Sequence, residues 1–131
     1  MPAPIIIEGD AFVSRYTVKP EKKEEFIALF NELWKSGEAQ LREVTHFVFY
    51  GWSREDEFVA IESWKSPEFV AAVRQSEEFK DVVSRLLSMC SKPMTMEAFN
   101  GMNSDGYIFK QHPKGASTVH PKAGDIGVLY L

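Results

Sequence analysis

The sequence contains one cysteine, Cys90, and no apolar run that approaches the roughly 20 residues of a membrane-spanning helix. A single cysteine excludes an internal disulfide framework and is typical of proteins that stay in a reducing compartment. The first eight residues hold no basic stretch and only a short apolar run, so we expect no secretory signal peptide. These absences together predict a soluble, cytoplasmic protein with no membrane association.

Basic residues are also scarce: 15 Lys and Arg stand against 19 Asp and Glu, which leaves a net charge of −4. Nonspecific nucleic-acid binding needs a basic excess, so we expect no nucleic-acid partner. The sequence has no glycine-rich phosphate loop and no nucleophile elbow, and its three histidines and Cys90 lack the spacing of metal ligands. We therefore expect neither a metal nor a bound cofactor.

Hydrophobic patterning across the 131 residues predicts one domain built from strands and helices. Runs of β-branched and aromatic residues indicate strands, and serine or proline starts followed by apolar stripes indicate helices. The predicted strands span residues 11–18, 44–52, 57–64 and 92–99, and the predicted helices begin at Pro20, Ser66 and Ser76. This order, β-α-β-β-α-β, predicts an α+β, ferredoxin-like fold with a four-stranded antiparallel sheet and helices on one face.

Such a sheet leaves its second face without a cover. Alternation along the strands assigns the main apolar residues of that face, which are Phe12, Phe47, Phe49, Val59 and Ile61. A contiguous apolar patch normally marks an interface, and a second copy of the chain would cover it. We therefore expect a homodimer.

The composition changes after residue 100. Residues 101–131 hold five of the eight glycines, yet they end in an apolar segment with Ile126, Val128, Leu129 and Tyr130. We divide the chain into a domain at residues 1–100 and an irregular C-terminal extension at residues 101–131. Because an isolated apolar end is stable only when docked, we expect it to pack on the domain or on the dimer partner, as an added strand or a lid near the pocket mouth.

Two stretches of the chain carry a family resemblance. The first is Tyr16-Thr-Val-Lys-Pro20 running into Glu24-Glu-Phe26, and the second is Phe58-Val-Ala-Ile-Glu-Ser-Trp64 followed by Ser66-Pro-Glu and Ser76-Glu-Glu-Phe79. Over roughly residues 10–100 the chain resembles the antibiotic biosynthesis monooxygenase family, the dimeric α+β barrel group. The resemblance implies that fold, a homodimer and an oxygenase that works without metal or flavin.

The chain departs from the family at several polar positions. A histidine that many members carry nine residues after the strand-ending tryptophan is Val73 here, and the Asn, Trp and His of the haem-degrading branch align with about Val13, Val73 and Val83. The resemblance therefore implies no haem binding. In the polyketide-oxidising branch the pocket is lined by a tryptophan, an asparagine and a tyrosine. Their counterparts are Trp64, Ala60 and Val70, and Arg85 is a possible counterpart of an arginine in that branch.

Strand alternation also groups the candidate catalytic residues. The simplest assignment places Arg15, His46, Tyr50, Glu62 and Trp64 on one face, which the resemblance would put over a pocket between sheet and helices. Glu62 is then either a general base whose pKa is raised by burial or one half of a buried pair with Arg15, which would lower that pKa. These alternatives remain open on the sequence alone.

The other candidates have two interpretations as well. Trp64 could stack on a flat aromatic ligand or fill the core, and Ala60, Val70 and Val73 would line the same pocket. His46 and Tyr50 could form a proton relay, or His46 could be a hydrogen-bonded structural residue.

Two functional hypotheses follow. The first is a cofactor-independent monooxygenase that acts on a small aromatic or polyketide-like substrate, with Glu62 as base, Trp64 as stacking wall, and Tyr50 or His46 beside the developing oxyanion. The second is a non-catalytic homodimer of the same fold that binds a small ligand or is purely structural. The valines at the family's polar positions favour the second, and a cavity beside Trp64 would favour the first.

Overall fold

The computed structural model describes residues 5–103 and 127–131. The strands are β1 Asp10–Thr17, β2 Thr45–Trp52, β3 Glu57–Trp64, β4 Met94–Asn100 and β5 Val128–Tyr130. The helices are α1 Lys23–Lys35, α2 Glu38–Val44, α3 Pro67–Gln75 and α4 Glu77–Ser88, with a 3-10 turn at Pro20–Lys22 before α1. The α+β, ferredoxin-like class expected from the sequence is confirmed.

Five strands form one sheet in the order β2-β3-β1-β4-β5, which is one strand more than the sequence predicts. The first four pair antiparallel, and β5 pairs parallel to β4. The sequence leaves open whether the apolar end of the chain forms an added strand or a lid, and in the structure Val128–Tyr130 form a strand that pairs with β4 of the same chain. Ile126, which we expected to dock with it, lies outside the described residues.

The helix starts follow from local chemistry. The hydroxyl oxygens of Ser66 and Ser76 accept hydrogen bonds from the backbone N–H groups of Phe69 and Phe79, both at 3.2 Å. Each serine therefore satisfies an N–H that has no partner within its own helix, which is the usual contribution of an N-cap. Pro67 occupies the first turn of α3, where its missing N–H leaves no bond unmade.

The core lies between one face of the sheet and the helices. Its centre is a cluster of rings in which Phe26 lies 5.2 Å from both Tyr16 and Phe58, centroid to centroid, with edge-to-face geometry. Phe30 packs edge-on against Phe58 at 4.8 Å and against Tyr50 at 4.6 Å. Burial of each such ring contributes roughly 1.5–3 kcal/mol before ordering costs, so this cluster anchors α1 to the sheet.

The opposite face of the sheet is open in the single chain. Its exposed apolar side chains include Phe47, Phe49, Phe99 and Leu129. Phe12 was assigned to this face from alternation alone, and that assignment is wrong. Phe12 lies across from Glu62 in the β1–β3 register and is buried on the helical side.

Candidate functional site

A cavity of about 470 Å³ lies between the sheet and helices α1, α3 and α4. That volume falls in the range of sites for small organic molecules. Aromatic and aliphatic side chains make up most of its wall, and a few polar groups converge on it. Those polar groups include Glu62, Arg74, Ser14, Tyr16, Tyr50 and Tyr130.

Glu62 stands near the middle of β3, with Phe12 and Val48 as its cross-strand neighbours. Burial raises the pKa of its carboxyl to about 7, while the positive charge of Arg74 and the indole N–H of Trp64 partly oppose the rise. The sequence left open whether this pKa would rise or fall, and the structure answers that it rises. A carboxyl with a pKa near neutrality can both accept and return a proton at physiological pH.

Arg74 projects from α3 into the same cavity. Its guanidinium carbon lies 4.7 Å from the ring centroid of Phe12, and its Nη1 donates to the sulfur of Met96 at 3.5 Å. Burial lowers the pKa of the guanidinium and the charge of Glu62 counteracts this, so Arg74 remains a buried cation on the cavity wall. Sequence reasoning missed Arg74, although its position four residues after the buried Val70 would place both on one face of the helix.

Trp64 ends β3 at the cavity wall and is almost fully buried. Its ring stacks on Phe69 of α3, with centroids 6.2 Å apart and planes 29° from parallel. The indole N–H is buried and lies near Glu62, but its geometry falls short of a hydrogen bond. Trp64 thus supplies a flat apolar surface together with a donor that a ligand could engage.

Three tyrosines lie around the cavity, each from a different strand. Burial raises the pKa of Tyr16, Tyr50 and Tyr130, and the charge of Glu62 adds to the rise for the first two. Their hydroxyls therefore stay protonated at neutral pH and can donate hydrogen bonds to an oxygen in the cavity.

Arg15 does not join this site. It lies on the opposite face of the sheet, about half exposed, and its Nη1 is 3.3 Å from the carboxylate of Glu57. The expected pair between Arg15 and Glu62 is therefore wrong. The reason is the register: Phe12 is the β1 residue across from Glu62, so Arg15, an odd number of positions away, must face the other side.

His46 is not among the cavity-lining residues either. The β2–β3 register shifts between Thr45 and Phe47, so His46 sits at a bulge and the alternation that grouped it with Tyr50 does not hold. Its Nε2 lies beside Gly9, 3.6 Å from where a Cβ on that glycine would stand. The structure does not bring His46 and Tyr50 together as the expected relay.

The remaining expected pocket residues divide into two groups. Val70 and Val73 line the cavity, as do Val83 and Arg85. Ala60 is buried in the core beneath it, across from Ser14 and Tyr50, and is not part of the wall. Three positions align with the haem-binding residues of the haem-degrading branch. Val73 and Val83 line the cavity, whereas Val13 faces away from it, across from Ile61.

Cys90 is the one thiol of the chain and is buried in the core. Burial raises its pKa to about 12, so it is a protonated thiol at neutral pH rather than a nucleophile. Within residues 5–103 and 127–131, no group of three or more His, Cys, Asp or Glu could hold a metal ion. Over those same residues, no helix is long and apolar enough to cross a membrane.

Several solved structures share this fold. A conserved protein from Methanosarcina mazei Go1 aligns with a TM-score of 0.64 at 21% identity, covering 72% of this chain and 94% of its own. The protein Rv0793 of Mycobacterium tuberculosis aligns with a TM-score of 0.62 at 14% identity over 75% of this chain and 99% of its own. A candidate antibiotic biosynthesis monooxygenase from Nitrosomonas europaea aligns with a TM-score of 0.62 at 15% identity, covering 75% and 96%.

No curated protein matches the chain significantly. The sequence profile of the family described as antibiotic biosynthesis monooxygenase matches residues 11–85, which is more than half of the chain. That match spans β1 to most of α4 and contains Glu62, Trp64 and Arg74. The chain therefore belongs to the antibiotic biosynthesis monooxygenase family.

Proposed function

We propose that this protein is a cofactor-independent monooxygenase that acts on a small aromatic or polyketide-like molecule bound in the 470 Å³ cavity. The observation that carries the proposal is Glu62, a carboxyl with a pKa of about 7 on the wall of a mostly apolar cavity. A base with this pKa suits the removal of a proton from a phenol, an enol or an activated methylene group.

The first step is proton transfer. Glu62 in its carboxylate form accepts the substrate proton, and the negative charge moves to the conjugated ring and its oxygen. Tyr50, whose hydroxyl stays protonated, donates a hydrogen bond to that oxygen, and Trp64 stacks on the ring. Stacking and the donor fix the orientation of the anion, which supplies part of the rate enhancement.

The second step uses O₂ as the oxidant. The carbanion passes one electron to O₂, the two radicals combine through a carbon–oxygen bond, and the resulting peroxide loses water to leave a carbonyl. The balance for a methylene group is CH₂ + O₂ → C=O + H₂O, so no external reductant is required. The apolar wall shields the reactive anion from water.

Oxygen consumption tests this proposal directly. A hydroxylated anthrone, which is flat and has one activated methylene group, is a suitable probe. We expect the protein to accelerate O₂ uptake and quinone formation, and Glu62→Gln to reduce kcat by about a hundredfold or more, the usual contribution of a general base. Glu57→Gln is the matched control, because Glu57 is on the same strand but pairs with Arg15 on the other face. Equal rates for Glu62→Gln and the unaltered protein would rule out Glu62 as the base.

We further propose that the protein works as a homodimer. The support is the open sheet face, where Phe49 is 61% and Phe99 50% exposed, an unusual degree for large apolar side chains on a sheet. A second copy of the same face would cover these rings with a self-complementary surface, as the family's α+β barrel does.

A non-catalytic ligand-binding protein is the second candidate. The observation that favours it is the pair of cavity valines, Val73 and Val83, at positions where family members carry polar groups. Measurements of anthrone binding without oxygen and of anthrone oxidation in air distinguish a monooxygenase from a binding protein. A protein that binds the anthrone anaerobically but does not accelerate its oxidation in air is a binding protein.

A further inference from the structure

The C-terminal strand contributes to the cavity, although it lies beyond the stretch that matches the family. The matched residues end at 85, whereas Val128 and Tyr130 of β5 line the same cavity as Glu62. We propose that Tyr130 and Arg74 together form a subsite that binds the anionic oxygen of a phenolate or enolate ligand. This inference rests on the proposed use of the cavity but not on any reaction with O₂.

The backbone of β5 is held firmly against β4. Met94 N–H donates to the carbonyl of Gly127 at 3.0 Å, and Leu131 N–H donates to the carbonyl of Met96 at 2.9 Å. In this register Tyr130 lies across from Met96, and its side chain is buried on the helical side of the sheet. Backbone pairing and burial therefore fix Tyr130 in the cavity wall.

Arg74 reaches the same part of the wall from α3. Its Nη1 contacts the sulfur of Met96, the residue directly across from Tyr130. Met96 is in turn across from Ser14 on β1, so a buried hydroxyl, a thioether and a phenol form one row of the sheet below the guanidinium. The positive charge of Arg74 and the ring of Tyr130 are close enough to affect each other's ionisation.

The charge balance of the cavity explains why an anion would bind there. Glu62 on β3, Tyr130 on β5 and Tyr16 on β1 are the titratable groups that act on Arg74. When Glu62 accepts a proton from the ligand, its carboxyl becomes neutral. The ionised oxygen of the ligand then replaces it as the negative charge near Arg74. The transfer leaves the number of charges beside Arg74 unchanged, so it buries no additional unpaired charge there.

This subsite predicts selectivity for ligands that can ionise. A phenol can transfer its proton and then accept hydrogen bonds from the guanidinium and the Tyr130 hydroxyl. Its methyl ether has a similar shape but can do neither. Hydrogen bonds to a charged group contribute enough to make the preference about tenfold or more.

Binding of 4-nitrophenol without oxygen tests the subsite, because its phenolate form absorbs visible light and its phenol form does not. With the full-length protein we expect the bound dye to be phenolate at a pH where the free dye is mostly phenol. We expect 4-nitroanisole, the methyl ether, to bind at least about tenfold more weakly. A bound dye in the phenol form, or equal affinity for the ether, would overturn the proposal.

Variants locate the effect. Tyr130→Phe keeps the ring that fills the wall and removes only the hydroxyl, so we expect it to fold and to weaken dye binding about tenfold. Arg74→Gln should abolish the phenolate band, Arg74→Lys should retain part of it, and Arg42→Gln, an exposed arginine on α2 paired with Glu38, should leave it unchanged. Dye binding that is unaffected by both Tyr130→Phe and Arg74→Lys would also overturn the proposal.

The result is separable from the proposed oxygenase activity. Phenolate binding without anthrone oxidation would retain the subsite and remove the oxygenase. Anthrone oxidation with unchanged rates and dye binding in Tyr130→Phe and Arg74→Lys would retain the oxygenase and remove the subsite.

Discussion

Burial within the sheet raises the free energy needed to ionise the Glu62 carboxyl, and the nearby positive charge of Arg74 offsets only part of this increase. The folded protein therefore binds the Glu62 proton more tightly than the unfolded chain does. The consequence reaches both stability and activity, because the same proton is the one that the proposed reaction moves.

The free energy of unfolding should respond to pH through this group. Its pKa is about 7 in the folded state against 4.5 as the ordinary value, so its contribution to stability is greatest below pH 4.5 and declines as the pH rises to 7. The decline amounts to about 3 kcal/mol. Urea unfolding of the unaltered protein and of Glu62→Gln at pH 5 and pH 8 measures it. We expect the substitution to flatten the profile, and parallel profiles would contradict the raised pKa.

The rate of the proposed reaction should depend on the ionisation of the same group, but it should rise with pH where the stability declines. Only the carboxylate form of Glu62 accepts a proton, so kcat/KM for anthrone oxidation should rise about tenfold per pH unit below 7 and level off above it. Oxygen uptake across pH 5–9, corrected for the uncatalysed rate, gives the profile. A rate that does not change between pH 5 and pH 8 would exclude Glu62 as the titrating base.

Haem is expected to find no histidine in this cavity to serve as its axial ligand. Val73 and Val83 line it, and His46, the one histidine within the described residues, lies at the β2 bulge outside its wall. Aliphatic side chains cannot coordinate iron. Titration with haemin should therefore give no sharp, saturable shift of the Soret band. A stoichiometric shift that His46→Ala abolishes would show the opposite.

At the scale of elements, β5 connects the stability of the fold to the shape of the cavity. It pairs with β4 and buries Val128 and Tyr130, while Leu129 points to the open face. Met94 and Met96, which lie across from these two residues, would lose cover without it.

Removal of residues 127–131 should destabilise the domain. Two buried side chains at roughly 1.5–3 kcal/mol each predict a loss of a few kcal/mol in the free energy of unfolding. Thermal or urea unfolding of the shortened chain measures the loss. Leu131→Ala is the control, because it keeps the backbone hydrogen bond to Met96 and changes only a side chain that is about half exposed. An unchanged midpoint for the five-residue deletion would leave β5 without a structural contribution.

At the scale of the whole molecule, the two faces of the sheet differ in how much of their apolar surface the chain itself covers. The helical face is covered within the chain, whereas Phe47, Phe49 and Phe99 on the other face remain exposed. Burial of this face against a second copy is the proposed solution, and it would leave both cavities on the outer, helical sides of the dimer.

The oligomeric state tests that arrangement. Light scattering at micromolar concentration should give a mass near twice 14.9 kDa. Phe49→Glu should shift the mass toward one chain, because it places a charge within the proposed interface. Met102→Glu changes an equally apolar and more exposed residue beyond the end of β4, and should leave the mass unchanged. A monomer before any substitution would refute the dimer.

The sequence by itself determined the order and approximate bounds of β1 to β4 and of helices α1, α3 and α4, but not the separate helix α2. Those features depend on local chemistry: serine caps and proline at helix starts, the apolar stripe of α1, and β-branched residues in β1 and β3. It also determined that Glu62 and Trp64 share a strand face, because alternation within one strand is a short-range property.

Only the tertiary structure decided which residues meet across the elements. The β1–β3 register placed Phe12 rather than Arg15 beside Glu62, and the packing of α3 on the sheet made Arg74 the neighbouring cation. The bulge in β2 removed His46 from the group, and pairing with β4 brought Tyr130 to the cavity. All four features depend on contacts between residues that are far apart in the chain, and a single sequence carries no local signal for such contacts.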